Sequence, residues 1–146
     1  MGHEHFVVEK YKLCFLITSD SIYRGEKRDE LKGVLPNILS SCDGAILEEY
    51  QVVPNNHKEI ETKVIELTRR CDILVVTGGT GLSRRDISIE VVSRIARKDI
   101  PGFGELFRLI SYERIGPRAI LSRASGFVVE DSIVFVVPGN PKAVEL

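Results

Sequence analysis

Three polar or glycine-rich segments each follow an apolar run. Ser19-Asp20-Ser21 follows residues 13–18, residues 77–86 follow 72–76, and Pro138-Gly139-Asn140-Pro141 follows 133–137. Thr77-Gly78-Gly79-Thr80-Gly81 has the most chemical content: three glycines in five residues permit positive φ and a close approach of backbone to ligand. Successive amides in such a turn form an anion-binding concavity, reinforced by the N-terminus of a following helix. Thr77, Thr80 and Ser83 add hydroxyls, and Arg84 and Arg85 add guanidinium groups suited to phosphate. The other reading is a tight strand-to-helix turn that needs glycine for geometry only. The segment is not a Walker A loop, since no Gly-Lys-Ser/Thr follows. It also fails Gly-x-Gly-x-x-Gly, because the third glycine position counted from Gly79 is Arg84.

Asp86, at the end of this segment, has two readings. It stabilises the dipole of the next helix, or it holds Mg²⁺ or positions a nucleophile beside phosphates. Asp20 carries the same ambiguity. Glu105 and Arg108 follow the Gly102-Phe103-Gly104 turn, and Ser122-Arg123 precedes the last apolar runs; these are site candidates or a solvated face. His57 reads as a surface residue, and the chain has neither a metal-ligand spacing nor a Ser-His-Asp pattern. The pairs Arg69-Arg70 and Arg84-Arg85 lack the aromatic interleaving of a nucleic-acid surface.

The elements that must position these residues follow from periodicity. Leu13-Cys14-Phe15-Leu16-Ile17 is a continuous apolar run ended by polar residues, the pattern of a strand buried on both faces. Leu31, Val34, Leu35, Ile38 and Leu39 fall at helical spacing, with Pro36 predicting a kink or a later helix start. Residues 45–53 read as a second strand near an edge. Asn56 with Glu59 resembles a capping box for Ile60, Val64 and Leu67. Residues 72–76 form a third strand. Ser88 is placed to cap a helix bearing Val91, Val92, Ile95 and Ala96. Leu106, Phe107 and Ile110 predict a short helix after Pro101-Gly102, and residues 127–129 and 133–137 a terminal hairpin. This order predicts one domain, residues 1–146, with a three-layer α/β/α architecture and a mostly parallel sheet. Ligands of such sheets sit beyond the carboxyl ends of the strands, so the three segments converge if their strands are parallel neighbours.

Composition narrows the class. The 146 residues carry 20 Lys plus Arg, 21 Asp plus Glu and a net charge of −1, with 43% apolar and 28% charged residues. These values exclude a disordered chain, and the near-neutral balance argues against bulk nucleic acid or an anionic membrane as partner. No apolar run reaches the roughly 20 residues that a membrane helix needs. Cys14, Cys42 and Cys71, without Cys-x-x-Cys spacing, read as reduced thiols of a cytoplasmic protein.

Taken together, Ser19-Asp20-Ser21, Thr77–Gly81 with Arg85-Asp86, Pro101-Gly102-Phe103-Gly104-Glu105 with Arg108, Ala119-Ile120-Leu121-Ser122-Arg123 and Pro138-Gly139-Asn140-Pro141-Lys142 resemble the molybdenum-cofactor biosynthesis proteins of the MoaB/MogA type, in order and spacing from about residue 13 onward. The resemblance implies a three-layer α/β fold, a homotrimer or hexamer, transient contact with other proteins of the pathway, and binding of molybdopterin. Fully active members are molybdopterin adenylyltransferases that use ATP and Mg²⁺. By motif, Asp86 matches the catalytic, magnesium-holding aspartate, and Thr77, Gly78, Gly79, Thr80, Gly81 and Arg85 the phosphate- and pterin-binding loop. Pro138, Gly139 and Asn140 match the second loop, and Ser19, Asp20, Glu105, Arg108, Ser122 and Arg123 pocket positions.

One position departs from the pattern: where the family has Val/Ile-Pro-Asp with a catalytic aspartate, this chain reads Val53-Pro54-Asn55. Asparagine offers an oxygen without charge, so the alternative implied is a non-catalytic pterin-binding module. The shared fold as used in competence/damage-inducible proteins fits less well, given Thr80 and Arg84-Arg85-Asp86. The resemblance also implies a further C-terminal helix, for which residues 142–146 supply barely one turn.

Overall fold

In the computed structural model, which describes residues 9–140, the first apolar run lies in strand β1 (Tyr11–Thr18). A four-residue helix α1 (Asp20–Tyr23) and helix α2 (Glu30–Ser41) lead to β2 (Ala45–Val53). Then come α3 (His57–Thr68), β3 (Ile73–Thr77), α4 (Ser88–Ile95), β4 (Lys98–Ile100) and α5 (Pro101–Ile115). A 3-10 turn (Gly116–Leu121), β5 (Ser125–Val129) and β6 (Ser132–Val137) complete the described chain. Pro141 and residues 142–146 lie outside the described residues.

The six strands form one sheet in the order β2-β1-β3-β6-β5-β4. β2, β1, β3 and β6 run parallel, while β5 is antiparallel to β6 and β4 to β5. The mostly parallel α/β architecture is therefore as the sequence predicts, and β2 is an edge strand.

Alternation within the central strands explains why their sequences are apolar throughout. Cys14, Leu16, Leu74, Val76, Val134 and Val136 join Ile60, Val64 and Leu67 of α3 and Val91 and Val92 of α4 in a core on one face. Leu13, Phe15 and Ile17 pack on the other face with Leu31, Leu35 and Ile38 of α2, beside Phe107, Ala124 and Val137 further along. Each fully buried aliphatic side chain of these layers contributes about 1.5–3 kcal/mol of transfer free energy. Cys14 and Cys71 are buried and Cys42 half-buried, none in a disulfide.

Several local expectations change. α2 starts at Glu30 and continues through Pro36, so the helix does not start later. Ile87 occupies the cap position of α4; Ser88 is the first helical residue, and its hydroxyl engages Thr18 Oγ1 at 3.1 Å. The helix after Pro101 has 15 residues rather than being short, and it buries Gly104, Phe107 and Ser111 while Leu106 is exposed. Asn56 does cap α3, accepting from the Glu59 amide at 3.1 Å. Among the described residues no helix is long and apolar enough to cross a membrane.

Candidate functional site

Register places the loops. Ile17 pairs with Thr77, and Thr77 with Val137, so the residues after β1, β3 and β6 emerge side by side at one edge of the sheet. Gly78 N–H donates to Val137 O at 3.0 Å, and a Cβ on Gly139 would stand 3.3 Å from Gly78 Cα. The Thr77–Gly81 and Pro138–Asn140 segments are thus in backbone contact.

Two glycines make that approach feasible. Gly78 has φ +102° and Gly79 φ +68°, a region that side chains other than glycine's rarely adopt. A Cβ on Gly78 would collide with the Thr18 carbonyl, and one on Gly79 with Ser88 Oγ. Beneath them, Thr18 Oγ1 donates to Thr77 O at 3.3 Å and pairs with Ser88 Oγ, while Ser88 N–H donates to Gly79 O at 3.1 Å. Sequence reading missed this hydroxyl pair. The available signal was a threonine ending an apolar strand and a serine opening the helix after the glycine loop.

Arg123 is also placed differently from a free anion binder. Its Nη2 donates to Gly81 O at 2.8 Å, its Nε to Gly81 O and Thr80 O at 3.1 and 3.2 Å, and its Nη1 pairs with Glu90 at 2.5 Å. The guanidinium binds the glycine loop through the Thr80 and Gly81 carbonyls and so holds the loop from behind. Buried Thr80 sits within this frame.

The carboxylates are positioned by backbone amides. Asp86 Oδ2 accepts from Ser83 N–H at 3.0 Å, turning the side chain back into the loop. Asp20 Oδ1 accepts from Asn55 N–H at 2.9 Å, and its Oδ2 receives Arg85 Nη2 at 2.9 Å. Asp20 therefore joins the ends of β1, β2 and β3, and Asn55 comes to the same edge. Ser19 caps α1, accepting from Ile22 N–H at 3.2 Å. Ser83 Oγ accepts from the Arg85 amide at 3.1 Å and so fixes where that side chain starts.

A second cluster continues along the edge toward β5. Arg108 Nη1 donates to Ala124 O at 3.0 Å and Ser122 O at 3.3 Å. Glu105, exposed, and Arg108 line a cavity of about 350 Å³ with Ser125 and Asp99. His57 lies apart from all of these, exposed on α3 and hydrogen-bonded to Arg94 at 3.1 Å.

Two side-chain atoms at this edge, Asn55 Oδ1 and Ser122 Oγ, are buried with no hydrogen-bond partner. A buried polar atom without a partner costs about 1–3 kcal/mol, so both atoms are energetically unfavourable as they stand. Among the described residues no three His, Cys, Asp or Glu side chains gather to cage a metal. Mg²⁺ needs only one or two carboxylates when phosphates and water fill the rest of its shell. The hard oxygens of Asp20, Asp86 and Asn55 fit that donor set.

Comparison with known proteins shows the family and the fold. Residues 14–146 match the family model described as a probable molybdopterin binding domain. The chain is 39% identical over 137 residues to molybdenum cofactor biosynthesis protein B of Bacillus anthracis, covering 91% of this chain and 79% of the relative. The protein of the same name in Staphylococcus carnosus is 35% identical over 148 residues, covering 99% and 86%. The crystal structure of the tungsten cofactor synthesizing protein MoaB from Pyrococcus furiosus superposes with a TM-score of 0.82 at 32% identity, covering 93% of this chain and 86% of that one. This chain belongs to the molybdopterin-binding domain family of molybdenum-cofactor biosynthesis proteins.

Proposed function

We propose that the protein binds molybdopterin across the loop edge and adenylylates it with Mg-ATP in molybdenum-cofactor biosynthesis. The observation that carries this reading is that the glycine loop and the Asp20 and Asp86 carboxylates lie at one edge of the sheet. The terminal phosphate of molybdopterin attacks the α-phosphorus of ATP; a new P–O bond forms there and the bond to the β-phosphate oxygen breaks, releasing pyrophosphate. Such a transfer needs in-line placement and charge neutralisation rather than a protein nucleophile.

In this reading the amides of Gly79, Thr80 and Gly81 hold phosphate, Thr77 and Gly78 anchor the loop to the sheet, and Pro138, Gly139 and Asn140 close the pocket from the neighbouring strand. Ser19, Ser122, Glu105 and Arg108 give polar contacts to the pterin and its side chain, and Arg123 keeps the loop in shape. Asp86 and Asp20 hold Mg²⁺, which neutralises charge on the phosphates when bound. Asn55 adds a neutral oxygen. Purified protein given molybdopterin and Mg-ATP should release pyrophosphate only when both are present. A protein that binds both ligands and releases none defeats the enzyme reading.

Asn55 favours a second reading, a module that binds molybdopterin without turnover. A missing charge beside Mg²⁺ costs about 1.4–4 kcal/mol of transition-state stabilisation, roughly ten- to thousand-fold in rate. Asn55→Asp then raises turnover by that factor if the wild-type site lacks the charge, and leaves it unchanged if Asp20 and Asp86 suffice.

A homotrimer or hexamer belongs to the same proposal. Leu106, Leu109 and Tyr112, three residues apart on α5, are exposed together with Ile120 and Leu121 of the 3-10 turn. Sedimentation should show an oligomer that Leu109→Lys dissociates; a monomeric wild type contradicts it.

A further inference from the structure

The Asp20 carboxylate does two things at once. One oxygen is fixed by the Asn55 amide at 2.9 Å; the other carries the Arg85 guanidinium at 2.9 Å. The Arg85 side chain is 76% exposed while that of Asp20 is 23% exposed, so the cation lies on the solvent side of a carboxylate set into the edge. Besides this pair, Arg85 is held at its root, where its amide donates to Ser83 Oγ. Beside the Asn55 amide, Asn55 Oδ1 is a buried acceptor with no donor.

We infer that Arg85 is a tethered cation that holds the metal position at Asp20 closed until an anion draws it away; this rests on the proposed reading of the edge as a phosphate and Mg²⁺ site. A guanidinium on Oδ2 opposes a divalent ion at that oxygen, since it occupies one lone pair and repels a second cation at contact distance. The latch is weak by construction. A solvent-exposed ion pair is worth at most about 1 kcal/mol, roughly five-fold in an equilibrium constant. A phosphate entering the glycine loop offers Arg85 a doubly charged, bidentate partner and competes well. Asp20 does not move when Arg85 leaves, because the Asn55 amide still holds its other oxygen. Anion and divalent cation therefore bind with positive coupling, and linkage requires each to strengthen the other by the same factor.

The test is Mn²⁺ binding to protein free of molybdopterin and nucleotide, followed by electron paramagnetic resonance at constant ionic strength, with and without sulfate. Arg85→Gln should bind Mn²⁺ about five-fold tighter than wild type without sulfate, and Arg85→Lys, which keeps a cation, should resemble wild type. Sulfate should tighten Mn²⁺ binding to wild type and leave Arg85→Gln unchanged. Adding Asp20→Asn should abolish the gain. The inference is overturned if Arg85→Gln binds no tighter, if sulfate acts equally on both, or if Asp20→Asn has no effect. Because no substrate is present, this outcome is independent of pyrophosphate release: a protein that releases pyrophosphate yet shows no coupling loses only the role given to Arg85.

Discussion

The core on the α3–α4 face and the loop edge of the same sheet are built on opposite terms. In the core, Leu16, Ile60, Leu67, Leu74 and Val76 are fully buried apolar groups with nothing left to pair. At the edge, a few residues farther along the same strands, two glycines have positive φ, two buried oxygens lack donors, and a carboxylate is shared by an amide and an exposed arginine. Stability is concentrated in the first region, and the second is held in place by it at some cost. A substitution in the core should therefore read out as melting temperature, and one at the edge as affinity.

The largest expected effect comes from the core. Leu74→Ala should cost about 2–5 kcal/mol, lowering the melting temperature by roughly 4–20 °C, with molybdopterin affinity unchanged below the transition. Calorimetry and titration at 15 °C separate the two. If affinity falls in proportion to stability, the two regions are not independent.

Gly78→Ala crosses the boundary. It imposes a Cβ at φ +102° against the Thr18 carbonyl. The cost should be about 2–4 kcal/mol from strain and overlap, with loss of molybdopterin binding. Retained affinity in a folded variant would show that the loop is a structural turn only.

Arg123→Lys keeps a charge for Glu90 and loses the fork that holds the Thr80 and Gly81 carbonyls. A loss of about 1–3 kcal/mol is expected, along with several-fold weaker molybdopterin binding. Unchanged affinity would mean that the loop keeps its shape unaided.

The smallest effect concerns pH. Burial, with the hydrogen bond to Asp29 at 2.5 Å, raises the Tyr50 hydroxyl well above its usual range. A raised folded-state value gives stability that is fully present below the unfolded value, near pH 10 for tyrosine, and is lost as pH rises above it. Tyr50→Phe should therefore flatten the fall of melting temperature above about pH 10 and leave molybdopterin binding at pH 7 intact. An unaltered alkaline profile would contradict the assignment.

What could be read from the sequence follows the same division. β1, β3 and β6 are legible because strands buried on both faces must be apolar throughout, and the α3 cap because Asn56 and Glu59 act locally. β4, the run Lys98-Asp99-Ile100, carries no such signal; it is a strand only because β5 pairs with it. α5 is misjudged in length because Leu106, Leu109 and Tyr112 are exposed, which blurs its apolar stripe. At the site, the convergence of loops follows from parallel order. The Arg85–Asp20 pair spans 65 positions and the Arg123–Gly81 contact 42, and neither leaves a local trace.

The central claim, that the edge formed by the loops after β1, β3 and β6 binds molybdopterin, is tested most directly by hydrogen exchange with and without that ligand. The account predicts slowed exchange at amides of residues 19–20, 77–86 and 139–140, and none on the outward faces of α2 and α3. Protection confined to those helices, or absent at the glycine loop in protein that binds the ligand, would contradict it.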